Sequence, residues 1–212
     1  TTSFTSPDIT ADETLTFILT VTDSDEAIAT DSISVQVSNL APGITGQITF
    51  DKIKFSGEGY WALSLDVENP IISPARFVVV QLLDVSEQVV AQTVTDDVGK
   101  YTFPLDVASK NSSFTINVLA KLELDSQIDD GFNILVTDQS TAVNLADQTI
   151  YNVKGDAINY DSGSLTFDMH LTAGWDVNAQ AFDSAKSYAQ PFAILDTLLN
   201  TSSYLINSGV EL

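Results

Sequence analysis

The chain has no cysteine. Disulfides, thiol nucleophiles and thiolate metal sites are therefore excluded. Basic residues are scarce too: 8 Lys and Arg stand against 29 Asp and Glu, for a net charge of −21. A surface of that sign repels phosphate, so nucleic acids and anionic membranes are poor partners. Histidine occurs once, at His170. A zinc site here would need three carboxylates beside it, so His170 reads as a structural or surface residue. No apolar run is long enough to cross a bilayer, and no membrane insertion is expected. No G-x-S-x-G elbow, phosphate-cradling glycine loop or dinucleotide fingerprint occurs, and no two acids are placed across a cleft as a glycosidase requires.

What is present is alternation. Hydrophobic residues make up 44% of the 212 positions, enough for real cores. Thr14 to Leu40 contains two runs of period 2 around an acidic turn. Leu15, Phe17, Leu19 and Val21 fall on one face, and Ile33, Val35 and Val37 repeat the pattern after the turn. Two strands do not make a stable sandwich. Residues 1–40 therefore read as the C-terminal half of a β-sandwich, and the chain as a piece of a longer multi-domain protein. Open edges on such a half also offer a route to strand exchange between copies.

A Pro-Gly linker around Pro42-Gly43 resets the chain. Residues 41–125 then read as a compact β-sandwich with strands GQITFDKIKF, ARFVVVQLLD, QVVAQTVT, KYTFPLD and SFTINVLAKLEL. Phe77 to Leu83 is almost continuously apolar and is expected as a central strand covered on both faces. Thr95 to Lys100 is expected as a tight turn, with Asp side chains capping it and Gly99 supplying a positive φ. The stretch 57–74 reads as long and irregular. Residues 126–212 add the strands FNILVTD, QTIYNV and SLTFDMHL and then turn helical from Asp183 to Ile206. Asp183 is the expected N-cap and Gly209 the stop. Pro191 must open the main helix or kink a longer one. Phe192, Leu195, Leu198 and Leu199 share its apolar face. The fold class is thus mainly β, antiparallel β-sandwich domains with a C-terminal α-helix.

Three stretches resemble known families. Residues 4–38, FTSPDITADETLTFILTVTDSDEAIATDSISVQV, resemble the C-terminal half of a PKD-type or cadherin-like immunoglobulin repeat, with Glu26 where that family usually has Gly. Residues 46–120 are similar to a carboxypeptidase-regulatory-like, transthyretin-type sandwich. The carriers are GQITF, ARFVVVQLLD and TVTDDVGKYTF, the last matching T-x-T-D-x-x-G-x-Y-x-F through Asp96, Gly99, Tyr101 and Phe103. Residues Ile72 to Phe77 depart from the family's V-x-G-A-x-V. Residues 165–200 are similar to a segment that precedes a metallopeptidase-like region in large secreted bacterial proteins. That region carries His-Glu-x-x-His, which is not found here. These resemblances imply spacer or adhesion modules, non-catalytic in themselves, outside the cell or on its surface.

Candidate sites are few. Asp23, Asp25 and Asp31 gather oxygens near one turn, and calcium is the ion such a set would take. The alternative is a solvated acidic turn; Asp96-Asp97 and Asp129-Asp130-Gly131 offer the same choice. Trp61, beside Tyr60 in the irregular stretch, is the candidate ligand-binding aromatic, and Trp175 a second one; both also suit a core position. Lys52 or Lys54 with Asn117 is a candidate isopeptide pair. The expected function is a non-catalytic accessory or spacer segment of a secreted or cell-surface bacterial protein. Its partners would be neighbouring domains, and protein or glycan at the cell surface. The alternatives are the front end of a zinc-metallopeptidase-like enzyme, and an adhesin or carbohydrate-binding module.

Overall fold

The computed structural model describes residues 12–37, 42–56, 64–105, 109–123, 133–137 and 148–208. The protein is mainly β, with several antiparallel sheets and one C-terminal helix. It divides into two compact units, residues 1–41 and 42–212.

The first unit is a two-stranded ribbon. Strand β1 (Glu13–Thr22) pairs antiparallel with β2 (Ile28–Val37) in unbroken register, Leu15 against Val35 and Phe17 against Ile33. The alternation puts these residues on one face with Leu19 and Val21, where Leu15 and Phe17 are half-buried while Val21 is exposed. Leu19 and Ile33 are each 64% exposed. An isolated ribbon of two strands is marginal in water.

The second unit packs two five-stranded sheets around one core. In one sheet the order is β10 (Asn152–Tyr160), β8 (Ser112–Glu123), β5 (Val78–Leu83) and β6 (Val89–Val94), with β9 (Asn133–Leu135) beside the far end of β8. The other is built on β3 (Gly43–Ser56). It carries β4 (Ser64–Pro74) and β7 (Lys100–Pro104) antiparallel on one side, and β11 (Ser164–Thr166) and β12 (Met169–Leu171) parallel on the other. Period-2 patterning sends Ile44, Ile48 and Phe50 of β3 into the core, where they join Val78, Val80 and Leu82 of β5 and Ile116, Val118 and Leu122 of β8. Val78–Leu83 is the central strand its composition foretold, flanked by β8 and β6.

Three details differ from the sequence reading. Residues 64–74, read as irregular, form a strand that lengthens the β3 hairpin; Asn69-Pro70 disguised it, because proline is tolerated at a sheet edge. SLTFDMHL is split into β11 and β12, since between them Phe167 N donates to Thr45 O (2.7 Å) and the Asp168 carboxylate accepts from Gln47 N (2.8 Å). Of the described strands after residue 126, β9 and β10 pair with β8, and β11 and β12 with β3, so these four complete the sheets begun in 41–125.

The helix α1 (Gln190–Asn207) begins with Pro191 in its first turn, as a missing N–H there costs nothing. Asp183 caps a separate 3-10 turn, Ser184–Lys186, and not the main helix. Phe192, Leu195 and Leu199 are buried in the core. Leu198, grouped with them by sequence, is 39% exposed, because 3.6-residue spacing turns it about 60° from Leu195. Gly209 lies outside the described residues.

Candidate functional site

The acidic turns share one construction. At Asp23, Asp84 and Asp96 the aspartate N–H donates to the carbonyl four residues on, and its carboxylate accepts from the second and fourth following N–H groups. The distances are 2.9 and 2.9 Å at Asp23, 2.8 and 3.0 Å at Asp84, and 3.0 and 2.7 Å at Asp96. In each, the third following residue has a positive φ: Glu26 at 63°, Glu87 at 60° and Gly99 at 78°. This is a tight turn followed by a left-handed residue, the usual closure of a three-residue hairpin loop. A Cβ at Gly99 would lie 2.5 Å from Ile48 O, so only glycine fits there. Glu26 and Glu87 are exposed and meet no such wall.

The candidate calcium ligands are therefore not brought together as a set. One oxygen of Asp23 holds the turn, while Asp31 lies up β2 opposite Leu19, its carboxylate accepting from Ser32 N at 2.9 Å. Among the described residues no group of three or more His, Asp or Glu side chains is placed to hold a metal ion. Trp61, Tyr60 and Asp129-Asp130-Gly131 lie outside the described residues. Trp175 sits in the short β13 (Trp175–Asp176), paired with β14 (Ala181–Phe182), its ring edge-on to Phe182 at 5.1 Å. Asp176, in the same hairpin, accepts from Asn178 N and Ala179 N, and these bonds hold its carboxyl below the usual range.

Lys52, Lys54 and Asn117 do not meet. Lys54 pairs with Asp66 and Lys52 with Asp196, while Asn117 lies on β8 in the other sheet, donating to Gln81 Oε1 at 3.1 Å.

Two polar constellations emerge that the sequence reading missed. The first is a chain on the outer face of the β3 sheet. Parallel pairing sets His170 beside Thr49, and Asp51 follows two residues along the same face. Thr49 Oγ1 lies 2.9 Å from His170 Nδ1, and His170 Nε2 lies 3.0 Å from Asp51 Oδ1. Asp51 Oδ2 accepts from Ala173 N at 2.8 Å, which fixes the carboxylate. A hydroxyl, an imidazole and a carboxylate in series can relay a proton. Here the three lie along a sheet face, and the series ties β12 and the segment after it to β3.

The second is a clamp on the helix. Asp196 is 8% exposed. It accepts from Lys52 Nζ (2.7 Å) and Arg76 Nε (3.1 Å), and from Arg76 Nη2, which also donates to Asn200 Oδ1 (2.7 Å). Burial alone would raise its pKa, but the bonds and charges of Lys52 and Arg76 outweigh it, and the carboxyl stays below the usual value. Arg76 is the only arginine in the chain and Asp196 the only charged residue in α1. Those two rarities were the available signal.

A cleft of about 740 Å³ opens at one end of the second unit, floored by Leu82, Ala91, Leu105 and Phe114 and edged by Asn111 and Ser112. Among the described residues that line it the one carboxylate, Asp84, is engaged in its turn. No described helix is long and apolar enough to cross a membrane. Set against known proteins, the chain matches no protein-family model and no curated sequence.

Proposed function

We propose that this chain is a non-catalytic accessory segment of a secreted or cell-surface bacterial protein, positioning neighbouring domains. The observation that carries this reading is the ribbon of residues 12–37. Leu19, Val21 and Ile33 on its apolar face are more than half exposed, and a two-stranded amphipathic ribbon is marginal in water without a further layer. The chemistry of the second unit supports the same reading, since its acids close turns and its cations clamp a helix. The test is incubation of the purified chain with quenched-fluorescent peptide libraries and chromogenic glycosides. No turnover is expected. Turnover that vanishes in His170→Ala would replace this reading with a hydrolytic one.

The cleft favours a second reading, a carbohydrate- or peptide-binding module, because it joins an apolar floor to hydroxyl and amide groups. Glycan-array binding that is lost in Phe114→Ala at unchanged fold would support it.

A further inference from the structure

A sheet edge is a row of unpaired backbone N–H and C=O groups, and proteins blunt it with charge, proline, a bulge or brevity. The edges of the second unit follow that rule with one exception. β10 carries Lys154, Asp156 and a break in register. β4 carries Asp66, Glu68 and two prolines, and β7 carries Lys100 and Pro104. β9, β11 and β12 are three residues each. β6, VVAQTV, has neither charge nor proline, and its one irregularity, at Val90, leaves residues 91–94 in straight register with β5. Thr95 N donates to Val78 O at 3.0 Å. Alternation then turns the N–H and C=O of Ala91 and Thr93 towards β5, and those of Gln92 and Val94 outward. Among the described residues no strand pairs with that outer edge. The cleft lies beside it, lined by Val90 and Ala91 of β6 and by Pro104 and Leu105 at the end of β7.

We propose that the β6 edge and the cleft form one docking site for an extended, cationic peptide of another protein, which adds to β6 as a further strand. This names the ligand class of the cleft and rests on its reading as a binding module. The backbone selects a polypeptide. Gln92 and Val94 each offer a donor and an acceptor at the two-residue repeat that an adjoining strand reciprocates, and a sugar has no such repeat. The cleft selects the side chains. Its floor of Leu82, Leu105 and Phe114 suits apolar residues on the inward face of the added strand. Charge selects the flanks. Residues 84–100 hold four acids, Asp84, Glu87, Asp96 and Asp97, against one cation, Lys100. Lys or Arg at the ends of the peptide complements them. The same acids, and a net charge of −21, disfavour a second copy as the occupant.

Selection of a phage-displayed library of random twelve-residue peptides on the immobilised full chain tests this. Enriched peptides should alternate apolar residues and carry Lys or Arg. Their affinity, read by fluorescence anisotropy, should fall about tenfold or more in Gln92→Pro. That proline removes an outward N–H and none that β5 uses, so melting should hold. Gln92→Ala keeps the N–H and should bind like wild type. On the wild-type chain, N-methylation of alternate peptide residues should abolish binding for one set and spare it for the other, a readout that needs no variant to fold. The proposal is overturned by no enrichment, by enriched peptides without that pattern, or by binding indifferent to both Gln92→Pro and N-methylation. In that last case, loss of binding in Phe114→Ala would keep the cleft as a binding site without the edge. Glycan binding with no peptide binding would do the same.

Discussion

Replacing Asp196 with Ala removes the acceptor of four hydrogen bonds, a long one from Asn200 Nδ2 (3.4 Å) and three from cations, two from Arg76 and one from Lys52. Such bonds are worth about 1.5–3 kcal/mol each when buried. The carboxylate is 8% exposed, but Arg76 is 26% exposed and Lys52 36%, so water recovers part of what each cation loses. The expected loss is about 3 kcal/mol in all. For a chain of this size that lowers Tm by roughly 6–12 °C. Asp196→Asn keeps the shape and should cost about half as much. Lys52→Met, on the wettest partner, should cost under about 1 kcal/mol. The assay is thermal unfolding followed by helical circular dichroism, repeated on the acid side. Because the folded pKa of Asp196 is depressed, its contribution is complete above the unfolded value near 3.8 and fades as pH falls through the lower folded value. The gap between wild type and Asp196→Asn should therefore be constant near neutrality and close in acid. An Asp196→Ala protein within about 0.5 kcal/mol of wild type, or a gap that ignores acid, would refute the clamp.

The three matched turns give a paired test by chemical denaturation. Gly99→Ala sets a Cβ 2.5 Å from Ile48 O at a φ of 78° and should cost about 3 kcal/mol. Glu87→Gly, at the equivalent but 73% exposed position, relieves the left-handed strain while adding unfolded-state freedom and losing a wet ion pair with Lys154. It should stay within about 0.5 kcal/mol of wild type. Equal effects at the two sites would sink the steric explanation. In native-state hydrogen exchange, the amides of β1 and β2 should exchange through small local openings and those of β5 and β8 only on global unfolding. Comparable protection in both would mean that the ribbon is stabilised by contacts beyond its own pairing.

Much of this architecture is written locally. SISVQV alternates cleanly and TFILTV does so but for Ile18, and VVVQLL is apolar but for Gln81 because it is central. D-x-x-G-K at Asp96 announced its turn, since the carboxylate cap and the glycine are both local needs. The acidic turn at Asp23 was legible between its two strands, whereas the copy at Asp84 was hidden, as Glu87 occupies its left-handed position in place of glycine. The strand at 64–74 was hidden by a proline, and the N-cap was assigned to the wrong helix because Asp183 satisfies a shorter turn first. The polar constellations depend on long-range register. Thr49 and His170 are 121 residues apart, and Arg76 and Asp196 are 120 apart. No periodicity encodes a parallel pairing between β3 and β12, so the single histidine gave no sign of its neighbours.

The clamp has a practical consequence. Because the chain contains one guanidinium and that group is held against the helix, attachment of α1 is coupled to the chemistry of a single side chain. An arginine-selective dicarbonyl reagent has one target in the whole molecule. Because that guanidinium is 26% exposed in the folded chain, its rate of reaction compared with the rate in Asp196→Asn reads how far the clamp shields it, as one mass increment and without a label.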